Sequence, residues 1–143
     1  MKHVLLIGPP GAGKSTLIEV AQARGIRAED LENYGHGSDG YEMRLEKARE
    51  LSRETGEGFM LVGMADIDPV IFPKSSIQVM LLPSRFVYEQ RLKHRDALHS
   101  RKQGQEGLER KYNVFVQWSK KFEHVIESDT TPEQDLDQIL AFV

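Results

Sequence analysis

The chain of 143 residues contains no cysteine, which excludes disulfide bonds, thiolate catalysis and zinc sites built on thiolates. The chain also lacks a large excess of either charge. Its formal net charge is −3, without the basic excess typical of nucleic-acid binding. No apolar run is long enough for a membrane span, and no signal-peptide pattern precedes the first predicted strand. We therefore expect a single cytoplasmic domain over residues 1–143, monomeric, with neither a nucleic-acid nor a membrane partner.

A glycine-rich segment near the N-terminus fits G-x-x-x-x-G-K-[ST], the phosphate-binding P-loop pattern. The segment and the residue after it are Gly8, Pro9, Pro10, Gly11, Ala12, Gly13, Lys14, Ser15 and Thr16. An apolar strand-like run, Val4–Ile7, precedes it, and apolar residues at helical spacing follow it. In this context loop amides and a helix N-terminus surround a phosphate, Lys14 reaches the β- and γ-phosphates, and Ser15 ligates Mg²⁺. The segment predicts binding of a nucleoside triphosphate, ATP by default, with Mg²⁺.

Short apolar runs alternate with amphipathic helical segments along the rest of the chain. The predicted strands are Lys2–Ile7, Ile26–Ala28, Phe59–Val62, Ile77–Leu82 and His124–Ile126. Such alternation is typical of an α/β fold in which helices cover both faces of a parallel sheet. In these sheets the ligand lies beyond the carboxyl ends of the strands, so the residues that follow each strand are the candidates for a site.

Three segments beyond the P-loop resemble the small P-loop kinases, the group of shikimate, gluconate and nucleoside-monophosphate (adenylate-type) kinases. Asp30-Leu31-Glu32 is similar to the D-x-D that these kinases place beside the acceptor hydroxyl. The segment from Leu81 to Ser84, with Arg91 and Arg95, resembles their fourth strand and the arginine helix leading to the lid. Residues 125–133 resemble their last strand and the loop beside the adenine.

This resemblance implies a P-loop NTPase fold of three layers, with a five-stranded parallel sheet in the order 2-3-1-4-5. It also implies an acceptor-side helical segment at 33–57 and a short lid loop at 96–110. The implied activity is transfer of the ATP γ-phosphate to a hydroxyl or phosphate of a small molecule. The alternative is a nucleotide-binding regulatory module or slow ATPase that has the kinase-like fold but no small acceptor.

Two acidic residues after the second strand are candidates for the acceptor side. Asp30 and Glu32 lie on the same side of an extended segment, so both carboxylates could share one site. The resemblance makes Asp30 the catalytic residue that orients the acceptor, and Glu32 a substrate contact. An acid at Asp30 could accept the acceptor proton or hold Mg²⁺ through water. The alternative is that both are turn carboxylates before a glycine-rich loop.

Arginines supply the positive charge that phosphoryl transfer requires. Arg91 and Arg95 are four residues apart, so on a helix they face one way and suit one phosphate chain. Arg44 sits on the predicted acceptor-side helix, where bidentate recognition of an acceptor carboxylate is the functional hypothesis. Its alternative role is Glu–Arg pairing on a solvated helix face, and mixed surface charge is the alternative for Arg91 and Arg95.

Asp66 and Asp68 follow the third strand, near the place of a Walker-B carboxylate. We assign Asp66 to Mg²⁺ together with Ser15, while Asp68-Pro69 is also an ordinary turn opener. This segment departs from the resemblance, because it has neither the D-G-[FY]-P-R motif of adenylate-type kinases nor the glycine cluster of shikimate kinases. The residue pattern therefore leaves the acceptor unidentified.

Overall fold

The computed structural model describes residues 1–9, 12–64, 67–99 and 105–143. Its strands are β1 (Lys2–Ile7), β2 (Ala28–Asp30), β3 (Phe59–Met64), β4 (Ile77–Leu81) and β5 (His124–Ile126). Its α-helices are α1 (Lys14–Ala23), α2 (Tyr41–Ser52), α3 (Arg85–His99), α4 (Gln105–Ser119) and α5 (Pro132–Leu140). Short 3₁₀ turns occupy Leu31–Tyr34, Ser38–Gly40 and Pro69–Ile71.

The five strands form one parallel sheet in the order β2-β3-β1-β4-β5, which confirms the predicted fold. Strand β1 is central, and its side chains from His3 to Ile7 are buried and alternate between two layers. Val4 and Leu6 pack toward the residues of α1 and α5, whereas Leu5 and Ile7 pack toward those of α2. Burial on both faces explains why β1 is a continuous apolar run rather than an alternating one.

Strand β2 lies two residues later than the sequence prediction, which was wrong in placing it at Ile26–Ala28. Pairing with β3 sets its position: Ala28 lies opposite Leu61, and Asp30 lies opposite Gly63. The Ile26 amide instead donates to the Ala21 carbonyl at the end of α1. Asp30 is therefore the last residue of a strand, and its side chain also caps the 3₁₀ turn that follows.

Strand β3 is also longer than predicted and continues to Met64, and α2 ends at Ser52. Of the predicted lid loop at 96–110, helix α3 takes the beginning up to His99 and α4 takes the end from Gln105. Its centre, 100–104, lies outside the described residues. Among the helices that the structure describes, none is long and apolar enough to cross a lipid bilayer.

Candidate active site

The turn between β1 and α1 is built on two glycines with different constraints. A Cβ at Gly8 would lie 2.4 Å from the Leu81 carbonyl oxygen, so only glycine allows β1 to approach the end of β4 this closely. Gly13 has φ +89°, in the left-handed region that favours glycine. Pro10 and Gly11, between them in the predicted loop, lie outside the described residues.

Helix α1 begins directly after this turn, at Lys14. Gly13 in the N-cap position offers no side chain to the first turn, and no acidic residue occupies that turn. The first amides of the helix and the positive end of its dipole thus face the turn without a carboxylate of their own. The Lys14 ammonium donates to the Gly8 carbonyl at 2.5 Å, on the inner side of the loop. Together these groups form a positively polarised concavity of the kind that suits an anion.

Ser15 and Asp30 meet at the edge of this concavity. The Ser15 hydroxyl donates to Asp30 Oδ2 at 2.8 Å, and Asp30 Oδ1 accepts from the Glu32 amide at 3.1 Å. Asp30 is only 5% exposed, so both of its oxygens are fixed in direction by the fold. A hydroxyl beside a carboxylate is the oxygen donor set that Mg²⁺ prefers. Asp66, the other residue assigned to Mg²⁺ from the sequence, lies outside the described residues.

Arg91 on α3 joins the same concavity from the opposite side. Its Nη1 lies 3.8 Å from the position that a Cβ at Gly13 would occupy, and its Nη2 donates to the Ser128 carbonyl at 2.7 Å. The loop after β5 therefore holds the guanidinium next to the phosphate-binding turn. Arg95 follows Arg91 by four residues on α3, and its role at the phosphates stays a prediction.

A buried carboxylate lies close to this arginine. Asp135, in the first turn of α5, is 5% exposed and accepts from the Thr130 hydroxyl at 2.7 Å. Burial raises the pKa of Asp135, and the Thr130 hydrogen bond and the charge of Arg91 oppose that rise. Sequence reasoning missed Asp135, because a Pro-Glu-Gln-Asp helix start predicts an exposed first turn.

Arg44 is buried, so it does not lie on the solvated helix face that its alternative role requires. Its side chain is buried, and Nη1 donates to the carbonyls of Gly35 at 2.9 Å and Gly37 at 2.8 Å. A Cβ at Gly35 would lie 2.5 Å from the Gly40 carbonyl oxygen, so the two ends of this loop touch. Arg44 thus fastens the closed loop 35–40 to α2, and its contact with a substrate remains a prediction.

A second cluster connects β2 to α2, and sequence reasoning missed it as well. The Tyr34 hydroxyl donates to Glu29 Oε2 at 2.6 Å, and this bond raises the pKa of Tyr34. Lys47 lies 4.8 Å above the Tyr34 ring and forms an ion pair with Glu50 at 3.2 Å. Glu32 is exposed between Asp30 and this cluster. These partners come from separate elements, so no local sequence pattern could have paired them.

The fold is shared with solved structures of P-loop kinases. Among solved structures, a shikimate kinase from Bacteroides thetaiotaomicron superposes with a TM-score of 0.71 at 15% identity, covering 99% of this chain and 97% of that one. A shikimate kinase from Aquifex aeolicus gives a TM-score of 0.70 at 14% identity, covering 98% and 94%. A gluconokinase from Sinorhizobium meliloti gives 0.65 at 15% identity, covering 98% and 90%.

These identities establish a shared fold, and they confirm the resemblance to the small P-loop kinases at that level. Compared by sequence, the chain matches no protein-family model and no curated protein. The role of each site residue therefore has to be argued from its own contacts.

Proposed function

We propose that this chain is a phosphotransferase that moves the γ-phosphoryl group of ATP to a hydroxyl or phosphate of a small molecule. The observation that carries the proposal is the convergence of a cation, a hydroxyl and a carboxylate on one turn: Lys14, Ser15 and Asp30. Solved kinases named for shikimate, gluconate and deoxyadenosine share the fold, which supports a small acceptor.

On this proposal Mg²⁺ would be held by the Ser15 hydroxyl and the Asp30 carboxylate, which already lie within 2.8 Å of each other. When bound, the ion would neutralise charge on the β- and γ-phosphates. The Glu32 amide keeps Asp30 directed at this position by its bond to Oδ1. We assign Asp30 to the metal rather than to the acceptor because it is buried beside the Ser15 hydroxyl, and two adjacent oxygen groups suit Mg²⁺.

The phosphates would be held by the amides of the turn and by Lys14, which would exchange its bond to the Gly8 carbonyl for phosphate oxygens. Arg91 stands next to Gly13 and would stabilise charge on the transferring group, with Arg95 added from the next turn of α3. Because the Ser128 carbonyl anchors Arg91, this cation is positioned before a nucleotide binds.

The acceptor would approach from the side of β2 and α2. Glu32 is exposed and follows Asp30 by two residues, so we assign it the task of orienting the acceptor or taking its proton. Arg44 would act on the acceptor through the loop 35–40, whose carbonyls it holds. This division separates two roles that the sequence pattern placed together on Asp30.

The proposal is tested by Mg²⁺-ATP turnover with a panel of acceptors: nucleoside monophosphates, shikimate, gluconate, small sugars and nucleosides. We expect one class to stimulate turnover at least about tenfold over hydrolysis by water. Asp30→Asn should raise the Mg²⁺ concentration needed for turnover, whereas Glu32→Gln should lower transfer and leave ATP binding unchanged. Glu57→Gln, which changes an exposed acid that precedes β3 at the opposite end of the sheet, is the matched control.

Tight ATP binding without stimulation by any acceptor would favour the alternative, a nucleotide-binding module or slow ATPase. Normal transfer by the Asp30→Asn variant at low Mg²⁺ would refute the metal role of Asp30. Normal transfer by Glu32→Gln would return the acceptor role to another residue.

A further inference from the structure

A groove lies on the α2 and α4 side of the sheet, away from the phosphate-binding turn. Its volume is about 870 Å³, within the range of small-molecule sites. Ile67 and Phe72, from the segment that links β3 to β4, form one apolar wall, and Trp118 on α4 lines the groove with them. In the described part of this link the regular structure is a three-residue 3₁₀ turn, Pro69–Ile71, so no α-helix fills the space.

Three polar side chains line the groove together with these walls: Asp68, Lys74 and Gln78. Gln78 is on β4, where Val79 and Leu81 point to the opposite layer, so alternation turns Gln78 toward the groove. Its neighbours on this face of the sheet, Leu5 and Met80, are buried and apolar. The exposed amide of Gln78 is therefore an exception on this face. An amide in that position leaves a hydrogen-bonding group at the base of the groove.

The groove offers more donors than acceptors. Across the described residues, the Lys74 ammonium, the Gln78 amide and the Trp118 indole N–H make no hydrogen bond. The carboxylate of Asp68 is partly engaged, since Oδ1 accepts from the Val70 amide at 3.0 Å and caps the 3₁₀ turn. A ligand with a flat apolar body and one anionic group would complement the aromatic wall and these donors.

This groove is distinct from the phosphate-binding turn. Gln78 lies opposite Leu5 in the middle of the sheet, and Leu81, whose carbonyl oxygen abuts Gly8, is three residues further along β4. At the rise of a parallel strand this places the amide about 10 Å from the end of β4. A ligand of one or two rings on Gln78 and Trp118 would therefore leave Lys14 and Ser15 accessible.

We propose that the groove between α4 and the β3–β4 link is a second small-molecule site, which takes a planar apolar molecule bearing a single anionic group. Lys74 supplies the charge preference, Trp118 and Phe72 supply the apolar walls, and Gln78 supplies a hydrogen bond at the base.

The chain has one tryptophan, so a single indole N–H resonance reports on the groove. ¹⁵N-labelled protein is titrated with three probes that share one ring system: 1-naphthoate, 1-naphthylmethanol and 1-naphthylmethylammonium. We expect a saturable shift of the Trp118 resonance, with 1-naphthoate binding about fivefold more tightly than the alcohol, the preference expected from one exposed charge. The ammonium probe should bind most weakly.

Charge variants then test how the preference arises. Lys74→Gln should weaken 1-naphthoate binding about fivefold and leave the alcohol unchanged, while Asp68→Asn, which keeps the cap, should strengthen it about twofold. Lys120→Gln, a lysine on the same helical region that bonds to Gln117, is the matched control and should change neither.

Absence of a saturable Trp118 shift with any probe would overturn the site. Equal affinity for the three probes, or a Lys74→Gln variant that binds 1-naphthoate normally, would overturn the anionic class. Displacement of 1-naphthoate by Mg²⁺-ATP would overturn the separation from the nucleotide site, and unchanged 1-naphthoate affinity in saturating Mg²⁺-ATP would support it.

Discussion

The two sides of the candidate active site are built in different ways. On the proposed phosphate side, the cation and the hydroxyl come from one segment of the chain, because Lys14 and Ser15 are adjacent at the start of α1. On the acceptor side, side chains from separate elements hold one another: Arg44 of α2 holds the carbonyls of Gly35 and Gly37. The first arrangement is local, and the second depends on tertiary contacts.

The two sides therefore differ in how strongly a change of side chain affects what they can bind. A cradle of backbone amides binds a phosphate whatever the neighbouring side chains are, so one motif suits many reactions. On the proposed acceptor side, the position of the loop 35–40 depends on side-chain contacts such as those of Arg44, so a substitution there would alter the space beside Glu32. Solved kinases for shikimate and for gluconate therefore share this fold while acting on different acceptors.

The largest effect is expected from removing the cation of the phosphate side. Lys14→Ala should weaken binding of Mg²⁺-ATP about 100-fold, because charge-assisted hydrogen bonds to the phosphates are lost. Calorimetric titration measures the affinity directly. Lys2→Ala is the control, since Lys2 is an exposed lysine at the other end of β1 and bonds to the Ser75 carbonyl. Equal affinities of the two variants would refute the phosphate-binding role of Lys14.

Alanine substitutions at two glycines distinguish the effect of backbone strain on stability from its effect on nucleotide binding. Gly13 and Gly25 have φ values of +89° and +79°, so alanine at either should cost about 1–2 kcal/mol of folding free energy. Only Gly13→Ala should also weaken Mg²⁺-ATP binding, by about tenfold, because it alters the turn next to Arg91.

Urea unfolding and nucleotide titration of both glycine variants provide the comparison. If the Gly13→Ala variant loses stability but binds nucleotide normally, the turn is a structural feature only. If the Gly25→Ala variant loses affinity to the same degree, the effect comes from general destabilisation.

On the acceptor side, we expect the substitution of Arg44 to affect the stability of the fold more directly than the activity. Arg44→Lys should cost about 2 kcal/mol of unfolding free energy, because an ammonium cannot replace the buried guanidinium that bonds to two carbonyls. Arg49→Lys, an exposed arginine on the same helix, should change it by less than about 0.5 kcal/mol. Normal stability of Arg44→Lys together with a raised KM for the acceptor would instead make Arg44 a direct substrate contact.

The sequence predicts features that neighbouring residues determine, and it misses features that depend on tertiary contacts. The P-loop segment and the start of α5, where Thr131 and Gln134 bond reciprocally, could be predicted because each depends on nearby residues. The sheet order was predicted only through the resemblance to the small P-loop kinases, since strand pairing joins residues far apart in the sequence. The position of β2 could not, since a strand of three residues has no periodicity and is placed by its pairing with β3. The contacts of Arg44 were equally hidden, because they need a loop whose glycines touch.

The smallest expected effect is on the pH dependence of stability and comes from Asp135, the buried carboxylate close to Arg91. Burial raises the pKa of Asp135 above its ordinary value of 3.8, so the folded protein binds this proton more tightly than the unfolded chain does. The stability that the protonated carboxyl contributes is full below pH 3.8 and is lost as pH rises through the higher, folded value. Asp135→Asn, which keeps an acceptor for Thr130, should therefore gain stability relative to the parent protein over that interval.

Urea unfolding of the parent protein and the Asp135→Asn variant from pH 3 to pH 8 measures this difference. Asp137→Asn, which removes an exposed carboxylate on the same helix, is the control and should lack this gain with rising pH. A pH-independent difference for Asp135→Asn would mean that attraction to Arg91 fully offsets burial. In that case Asp135 would partly balance the charge of Arg91, and Asp135→Asn should then alter Mg²⁺-ATP affinity, because that balance would be lost next to the nucleotide.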